Sequence, residues 1–257
     1  MENNNELIIS VRNFTASYGE NVIIDNISFD VYRGEIFVIL GGSGCGKSTL
    51  LKHMIGLFPP ANGQILIMGQ DIASSEGEEK NNILKKIGVA YQSGALFGSM
   101  TILENVMLAM EEFTDISKEM RELIAKMKLE IVGLGGSENK LPSELSGGMI
   151  KRAALARAMA LDPEILFLDE PSAGLDPVTS AEIDQLILNL AKNLHITFVI
   201  VTHELQSIYT IADRVIMLDK RVKGIVATGE PKYLRDHSDN AWVRQFFNRK
   251  VESEAAA

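Results

Sequence analysis

The first part of the chain alternates apolar and polar residues in the way typical of β-strands. LIISVRNF and VIIDNISFDV lie within Leu7 to Val31, separated by Asn and Gly residues, which predicts two antiparallel strands. The apolar run from Ile36 to Leu40 predicts a buried strand. A helical pattern then extends from Lys47 to about Phe58, and we expect the prolines and glycine of residues 59–63 to end that helix.

In the rest of the chain, the spacing of apolar residues changes from that of strands to that of helices, and then alternates between the two. After a short predicted strand, QILIMG, the segment from Ser74 to Lys80 has the composition of a solvated loop. From Ser93 to Ala160, ILENVMLAM and KEMRELIAKMKLEIVG place apolar residues at spacings of three and four, which predicts helices. From Glu164 onward strands and helices alternate, as in ILFLD, TSAEIDQLILNLAKNL, ITFVIVTH and RVIMLD. The pattern predicts an α/β fold whose parallel-sheet core has a β-rich N-terminal edge and a helical insert.

Composition and charge narrow the classes of partner. The formal net charge of -9 disfavours nucleic acid as a partner, since an acidic surface repels phosphate backbones. Cys45 is the only cysteine, so no internal disulfide is expected, and this fits a reducing compartment. The N-terminus MENNNELIIS lacks the features of a secretory signal, and no apolar run approaches the ~18 residues that span a bilayer. Any membrane role is therefore expected to come through a partner protein.

A glycine-rich segment between the predicted strand and helix carries the first candidate chemistry. Gly41 to Ser48 reads GGSGCGKS, which fits the pattern G-x-x-x-x-G-K-S. Glycines let successive backbone N–H groups face one anion, and the helix N-terminus adds its positive end. Its context disfavours a chance glycine-rich turn, and we expect Lys47 to neutralise the β- and γ-phosphates and Ser48 to ligate Mg²⁺. The residues expected to bind the phosphates here are Gly41, Gly42, Ser43, Gly44, Cys45, Gly46, Lys47, Ser48 and Thr49.

An apolar strand that ends in two acids supplies the other half of a hydrolysis site. Residues 165–170 read ILFLDE. Asp169 is expected to hold Mg²⁺ through water, and Glu170 to orient and polarise the attacking water. A simple acidic strand-end turn is the alternative, and the phosphate loop elsewhere in the chain disfavours it.

A third motif lies between these two. Residues 145–149 read LSGGM and open a predicted helix, where Ser146, Gly147 and Gly148 make a second anion site. Here the chain resembles the ATP-binding cassette family of P-loop NTPases, with their RecA-like core. The resemblance extends from about Leu7 to Gly229. It implies one ATPase domain at residues 6–248, a helical subdomain at about 93–160, and a disordered tail at 249–257.

The resemblance implies roles for further residues. Two ATP molecules are sandwiched between two head-to-tail chains in such cassettes. Tyr18 would stack on adenine, although an ordinary strand aromatic is the alternative. Gln92 would contact Mg²⁺ and water, residues 172–176 would cross to the other protomer, and His203 would face the γ-phosphate. Met149 stands where most cassettes have glutamine, and we still expect hydrolysis. The histidines that match nothing are expected to be structural: His53, His195 and His237.

Four segments together resemble one group of cassettes. They are LSGGM followed by KR, YQSGALF at residues 91–97, AGLDPVTS at 173–180 and WVRQFF at 242–247. They are similar to the ATPases of MCE-linked lipid transporters, the Mla or toluene-tolerance group. That resemblance implies a homodimer on the cytoplasmic face of the inner membrane. Its partners would be a permease and an MCE-domain lipid-binding protein, and its cargo phospholipid or another hydrophobic molecule.

Two segments keep two interpretations each, and one cysteine carries a further expectation. Ala95, Leu96 and Phe97 would form the groove for a permease coupling helix, or else belong to the core of the insert. Residues 242–247 would cap the partner protomer or pack on their own chain. Cys45 lies at a helix N-terminus, where thiol pKa tends to fall, so we expect alkylation to block ATP binding and ATP to protect.

Other phosphate-loop proteins fit the sequence less well. A GTPase usually needs N-K-x-D, whereas Asn139 and Lys140 are followed here by Leu and Pro. Neither a GTPase nor a small-molecule kinase needs LSGG. Non-transport cassettes of DNA repair or translation usually carry two cassettes or long coiled coils. Among transporters, a small-solute importer or a lipoprotein exporter is the alternative.

Overall fold

The computed structural model describes residues 6–249 as two β-sheets with helices around them. The strands are β1 (Leu7–Tyr18), β2 (Asn21–Tyr32), β3 (Ile36–Gly41), β4 (Asn62–Ile67), β5 (Gln70–Asp71), β6 (Ile87–Ala90), β7 (Ile165–Asp169), β8 (Thr197–Val201), β9 (Arg214–Asp219) and β10 (Gly224–Gly229). The helices are α1 (Lys47–Met54), α2 (Gly77–Lys85), α3 (Ile102–Phe113), α4 (Lys118–Ile131), α5 (Gly147–Ala158), α6 (Pro177–Leu194), α7 (Leu205–Ile211), α8 (Pro231–His237) and α9 (Ala241–Asn248). A short 3₁₀ turn, Pro142–Glu144, precedes α5.

The N-terminal strands form a separate antiparallel sheet. Its order is β2-β1-β4-β5, and β1 pairs antiparallel with both β2 and β4. The prediction of two antiparallel strands between residues 7 and 31 is therefore confirmed. Register shifts interrupt the β1–β2 ladder, for instance between Val11 and Phe14, and Asn13 in that gap has a positive φ of 47°.

The second sheet has six strands in the order β10-β9-β3-β8-β7-β6. All are parallel except β10, which pairs antiparallel with β9. Parallel strands with helical crossovers are covered on both faces, which explains their continuous apolar sequences. Their carboxyl ends lie along one edge, and the three candidate segments that follow β3, β7 and β8 therefore meet there.

The two faces of this sheet belong to two different cores. Alternate residues of each strand point to opposite sides. Val38 and Leu40 face a core that includes α3, α4, α5 and α6. Phe37 and Ile39 face a core shared with α1 and the antiparallel sheet. The helices predicted between residues 93 and 160 are α3, α4 and α5, and they lie on the first of these faces.

Two predicted boundaries are wrong. The loop expected from Ser74 to Lys80 contains the start of α2, and Ser75 is buried. The helix expected to reach Phe58 ends at Met54, because Gly56 adopts a positive φ of 74° and its N–H donates to the His53 carbonyl. Such a left-handed glycine closes a helix, so the prolines that follow are not what ends it.

The tail predicted to be disordered lies, apart from Arg249, outside the described residues. In the part of the chain from Glu6 to Arg249, no helix is long and apolar enough to cross a bilayer.

Candidate functional site

The phosphate loop connects β3 to α1 through three glycines in conformations that other residues rarely adopt. Gly41, Gly44 and Gly46 have φ values of 149°, 73° and 101°. A Cβ on Gly41 would lie 2.3 Å from the Leu218 carbonyl oxygen, and one on Gly46 would lie 2.8 Å from a side-chain carbon of Ile24. Glycine is therefore required at both ends of the loop by the packing beneath it.

Lys47 folds back over this loop. Its Nζ donates to the carbonyl oxygens of Gly41 at 2.9 Å and Gly42 at 3.2 Å. Ser48 is exposed at the first turn of α1. A shallow cavity of about 250 Å³ lies here, lined by Ile23, Gly44, Gly46, Lys47, Ser48 and Thr49. An ammonium group, hydroxyls and a helix N-terminus around one cavity suit a phosphate group.

The two acids lie at the carboxyl end of β7, which β8 separates from β3 in the sheet. Asp169 is the last residue of β7 and is half-buried. Burial raises the pKa of the Asp169 carboxyl, the neighbouring Glu170 raises it further, and Lys52 and Lys47 oppose both effects. A cation at this position would therefore relieve an unfavourable buried charge.

Glu170 is held from several directions. It is 8% exposed, its φ is 49°, and its N–H donates to the Val201 carbonyl at 2.8 Å. One carboxylate oxygen lies 2.6 Å from His203 Nδ1, and Thr202 Oγ1 donates to the other at 3.2 Å. The left-handed backbone is a strained conformation, and strain of this kind concentrates at functional sites. The carboxylate is thereby fixed at the edge of the sheet, beside the exposed ring of His203.

Gln92 lies two residues after β6, in an exposed turn rather than at the end of the strand itself. The turn is joined to Glu170 by Lys151 of α5. Lys151 Nζ donates to the Gln92 carbonyl at 2.6 Å and to the Glu170 carbonyl at 3.0 Å. Sequence analysis missed Lys151. The signal for it is its place among the buried positions of α5, three residues from both Gly148 and Ala154.

The predicted second anion site is at the N-terminus of α5. Ser146 is the N-cap of α5, and its Oγ accepts from the Met149 N–H at 3.3 Å. Ser146 and Gly147 are exposed, whereas Gly148 is buried. Within residues 6–249, no hydrogen bond joins this helix start to the phosphate loop. A ligand on Ser146 would therefore be open to a second surface.

The low thiol pKa expected for Cys45 is wrong. The side chain is 2% exposed, and burial raises the pKa of the Cys45 thiol, with Lys47 nearby opposing that effect. Cys45 instead lines a cavity of about 340 Å³ between the phosphate loop and α9, together with Gly42, Ser43, Asp219, Lys220, Arg221 and Trp242.

The remaining predicted residues differ in how far they are exposed to solvent. Tyr18 ends β1 with 53% of its surface exposed. Ser172 is buried, and Asp176 accepts hydrogen bonds from the Val178 and Thr179 N–H groups as the N-cap of α6. His53 is buried, its Nδ1 lies 2.9 Å from the Phe58 carbonyl oxygen, and burial lowers its pKa, in keeping with a structural histidine.

The predicted metal ligands suit magnesium, which completes its coordination with water and phosphate. They do not suit a metal that is coordinated by protein side chains alone. The predicted ligands are a hydroxyl, an amide oxygen and a single carboxylate, from Ser48, Gln92 and Asp169. In the described part of the chain, no three His, Cys, Asp or Glu residues are grouped to hold a metal. Mg²⁺ commonly uses one or two carboxylates plus waters and substrate phosphates, so these oxygens fit it.

Two sequence comparisons bear on this geometry. Residues 24–173 match the family described as ABC transporter. Over 241 residues the chain is 44% identical to the "Probable ribonucleotide transport ATP-binding protein mkl" of Mycobacterium leprae, which covers 93% of this chain and 68% of that protein. The corresponding Mycobacterium tuberculosis protein is covered to 66% of its length. The chain is 41% identical to the "Intermembrane phospholipid transport system ATP-binding protein MlaF" of Haemophilus influenzae, covering 91% and 88% of the two chains.

Two solved structures have a fold similar to that of this chain. The ATP-binding cassette MJ0796, described as a dimer in a post-hydrolysis state bound to ADP and Pi, superposes with a TM-score of 0.79 and 31% identity over 87% of this chain and 98% of that one. CbiO1 from Clostridium perfringens, described as part of the transporter complex cbiONQ, superposes with a TM-score of 0.82 and 28% identity over 90% and 92% of the two chains.

Proposed function

We propose, from the premise that the chain belongs to the ABC transporter family as an ATP-binding and ATP-hydrolysing subunit, that it powers a separate membrane permease for phospholipid or another hydrophobic molecule. The observation that carries the catalytic part of the proposal is the fixed carboxylate of Glu170. Glu170 lies directly after β7, at the same edge of the sheet as the phosphate loop.

ATP is proposed to bind with its phosphates on Gly41 to Thr49 and its adenine against Tyr18. Ser48, Gln92 and Asp169 would hold Mg²⁺, which neutralises phosphate charge when bound. Lys47 would leave its two loop carbonyls to neutralise the terminal phosphates.

Glu170 is proposed to orient the attacking water and accept its proton. His203 fixes the carboxylate through Nδ1 at 2.6 Å and leaves its other ring nitrogen for the γ-phosphate. Thr202 restrains the second carboxylate oxygen. The group is prearranged, so little reorganisation is needed when ATP arrives.

A head-to-tail homodimer is proposed to complete each ATP site. Ser146 and Gly147 are exposed at the start of α5, beside the buried Gly148, and within residues 6–249 they have no hydrogen bond to their own phosphate loop, which suits an ATP bound to a second copy. The similar cassette MJ0796 is a dimer in its solved structure.

The cargo is argued from the relatives. The MlaF proteins are named for intermembrane phospholipid transport, and their match to this chain covers most of their own length. A permease and an MCE-domain protein would be the partners, and nucleic acid would not. The chain would lie on the inner face of the cytoplasmic membrane. A small-solute importer is the second candidate, favoured by the ribonucleotide transport named for the mycobacterial relatives.

The catalytic proposal is tested by Glu170→Gln. The amide cannot accept the proton from water, so phosphate release should fall at least about a hundredfold while ATP binding remains, and ATP should trap a dimer visible by gel filtration. Glu182→Gln is the matched control, because Glu182 lies on α6 and pairs with Arg152 at 2.9 Å. Wild-type turnover in Glu170→Gln would remove Glu170 from the mechanism.

The cargo proposal is tested by mild detergent extraction of the tagged chain followed by mass spectrometry. Co-purification of a permease, an MCE-domain protein and phospholipid is expected. A permease with a different accessory protein would contradict the lipid cargo and keep the ATPase. Recovery without any membrane protein would contradict the transport role.

A further inference from the structure

Lys151 is a lysine in the interior of the protein that no role described above uses. It lies in the second turn of α5, is 9% exposed, and burial lowers its pKa. Its ammonium donates to two main-chain carbonyls, of Gln92 and Glu170, at 2.6 and 3.0 Å. A charge this well buried is retained only where acceptors compensate it, and here the acceptors belong to two separate segments.

One of these carbonyls belongs to Glu170. The carboxylate of Glu170 is fixed by His203 and Thr202, and its N–H by Val201. Its φ of 49° is a conformation that a non-glycine residue holds only when its surroundings impose it. The carbonyl is the remaining main-chain polar group of this residue, and it accepts from Lys151 Nζ at 3.0 Å and from the Ala173 N–H at 3.2 Å.

The other carbonyl belongs to Gln92, at the start of a segment that α5 holds at further points. Arg157, also on α5, donates to the carbonyls of Gly94 at 3.0 Å and Ala95 at 2.6 Å. Ala95 has a positive φ of 48°. Cationic side chains of one helix therefore bind three carbonyls of residues 92–95.

The same segment leads to a surface groove. A cavity of about 500 Å³ is lined by Phe97, Asn105 and Arg157 among others. Asn105 bonds to both main-chain groups of Phe97, with its Oδ1 2.8 Å from the N–H and its Nδ2 3.1 Å from the carbonyl. The segment that Lys151 binds at Gln92 therefore continues into the lining of this groove.

We propose that Lys151 is a positioning residue for ATP hydrolysis, which holds the main chain of Glu170 in register with the turn at Gln92. Its hydrogen bonds to these two residues are both to main-chain carbonyls. The inference rests on the proposed function, because it assigns Lys151 to the hydrolysis site described there.

The test compares three purified variants with the wild-type chain. Lys151→Met keeps the length and removes the donors, Lys151→Arg keeps a charged donor, and Arg152→Met is a control on the neighbouring position, where the side chain bonds to Val132 and Glu182. The measurements are kcat and KM for ATP, the Kd of a fluorescent ATP analogue, and the midpoint of thermal unfolding.

Lys151→Met should lower kcat by about tenfold to a hundredfold, the effect of losing charge-assisted hydrogen bonds that orient a reacting group. The Kd of the analogue should stay within about twofold, since Lys151 is not expected to touch the nucleotide. Lys151→Arg should recover a large part of kcat, and Arg152→Met should keep it. If the Met variant does not fold, Lys151→Gln replaces it with a smaller expected loss of kcat, because its amide still donates hydrogen bonds but is uncharged and one atom shorter.

Three results would overturn the proposal: an unchanged kcat in the Met or Gln variant, a loss of nucleotide affinity equal to the loss of kcat, or equal losses in the Met and Arg variants. Absence of ATPase activity in the wild-type chain would instead contradict the proposed function itself.

Discussion

Cys45 belongs to the phosphate loop, and its buried side chain has surroundings that reverse the chemistry expected from its position in the sequence. A thiol at a helix N-terminus commonly has a lowered pKa. Here the side chain is 2% exposed, and burial raises the pKa despite the nearby Lys47. The helix N-terminus is present, but desolvation of the thiolate outweighs it.

Alkylation of Cys45 should accordingly be slow in the folded protein. A raised pKa leaves a smaller thiolate fraction at every pH below it, and burial blocks access, so the rate with iodoacetamide at pH 7.5 should be about tenfold or more below that of an exposed thiol. The rate should continue to rise with pH above the ordinary thiol range. The same chain unfolded in urea is the control, because it holds the same single thiol. Equal rates in the folded and unfolded chains would contradict the prediction.

The sequence predicts the groups of the site that carry a motif and misses those that act through the main chain. The glycines of the phosphate loop and the acids after β7 have fixed spacing, and the structure places them at one sheet edge. Lys151 donates to carbonyls, which every residue has, so no residue type at a fixed spacing marks its partners. Its role depends on how α5 packs, and this is a property of the folded chain.

At the scale of elements, the start of α5 packs closely against the start of α6. A Cβ on Gly148 would lie 2.6 Å from Cγ2 of Thr179, whereas one on Gly147 would lie 3.3 Å from a side-chain carbon of Leu175. Thr179 is fixed by Asp176, which accepts from its hydroxyl at 2.5 Å and from its N–H at 3.1 Å. The second glycine of LSGG is therefore required by the packing of a neighbouring helix.

Gly148→Ala should force these two helix starts apart. Overpacking of this kind costs ~1–3 kcal/mol of unfolding free energy. Displacement of the neighbouring Ser146 should also lower kcat for ATP. Urea unfolding and phosphate release measure the two effects.

A second substitution tests the cause. Gly148→Ala combined with Thr179→Ser removes the methyl group that an added Cβ would meet and keeps the hydroxyl that Asp176 accepts. The double variant should regain at least half of the lost stability. A double variant no more stable than Gly148→Ala alone would show that this contact is not the cause.

The helix α2 illustrates why one element was predicted as a loop. Its sequence, GEEKNNILK, is mostly polar, and Ile83 is its one buried residue. Glu78 and Glu79 lie in the first turn, where negative charge stabilises a helix. Polar composition indicates exposure and does not exclude a helix. α2 contains too few apolar residues to show the spacing of three and four that reveals a helix in a sequence.

At the scale of the whole molecule, alternation along the parallel strands assigns each face of the sheet to a different core. The antiparallel sheet packs on one face and the helices of residues 102–158 on the other. The order of strand and helix patterns in the sequence predicts this α/β arrangement. It does not predict the groove beside Phe97, since a groove is formed by residues far apart in sequence, from Leu84 to Leu161.

Phe97 offers a test of whether this groove receives the permease. The ring is 52% exposed at the groove, while Asn105 bonds to the main chain on both sides of it. Phe97→Asp should leave the loop in place and set a carboxylate where an apolar surface would be desolvated. ATPase activity of the isolated subunit should stay within about twofold of wild type. Recovery of the permease with the tagged chain should fall about thirtyfold, the loss typical of a central aromatic anchor.

Leu194→Asp is the matched control, because Leu194 is 47% exposed at the end of α6 and does not line the groove. It introduces the same charge in place of an exposed apolar side chain of similar size, so it should keep both activity and permease recovery. Permease binding and transport that survive Phe97→Asp would place the docking surface elsewhere. Loss of permease recovery in the Leu194→Asp variant, with its ATPase activity kept, would mean that added acidity alone weakens the complex, a result to be expected only if the permease presents an acidic surface to this chain of net charge -9.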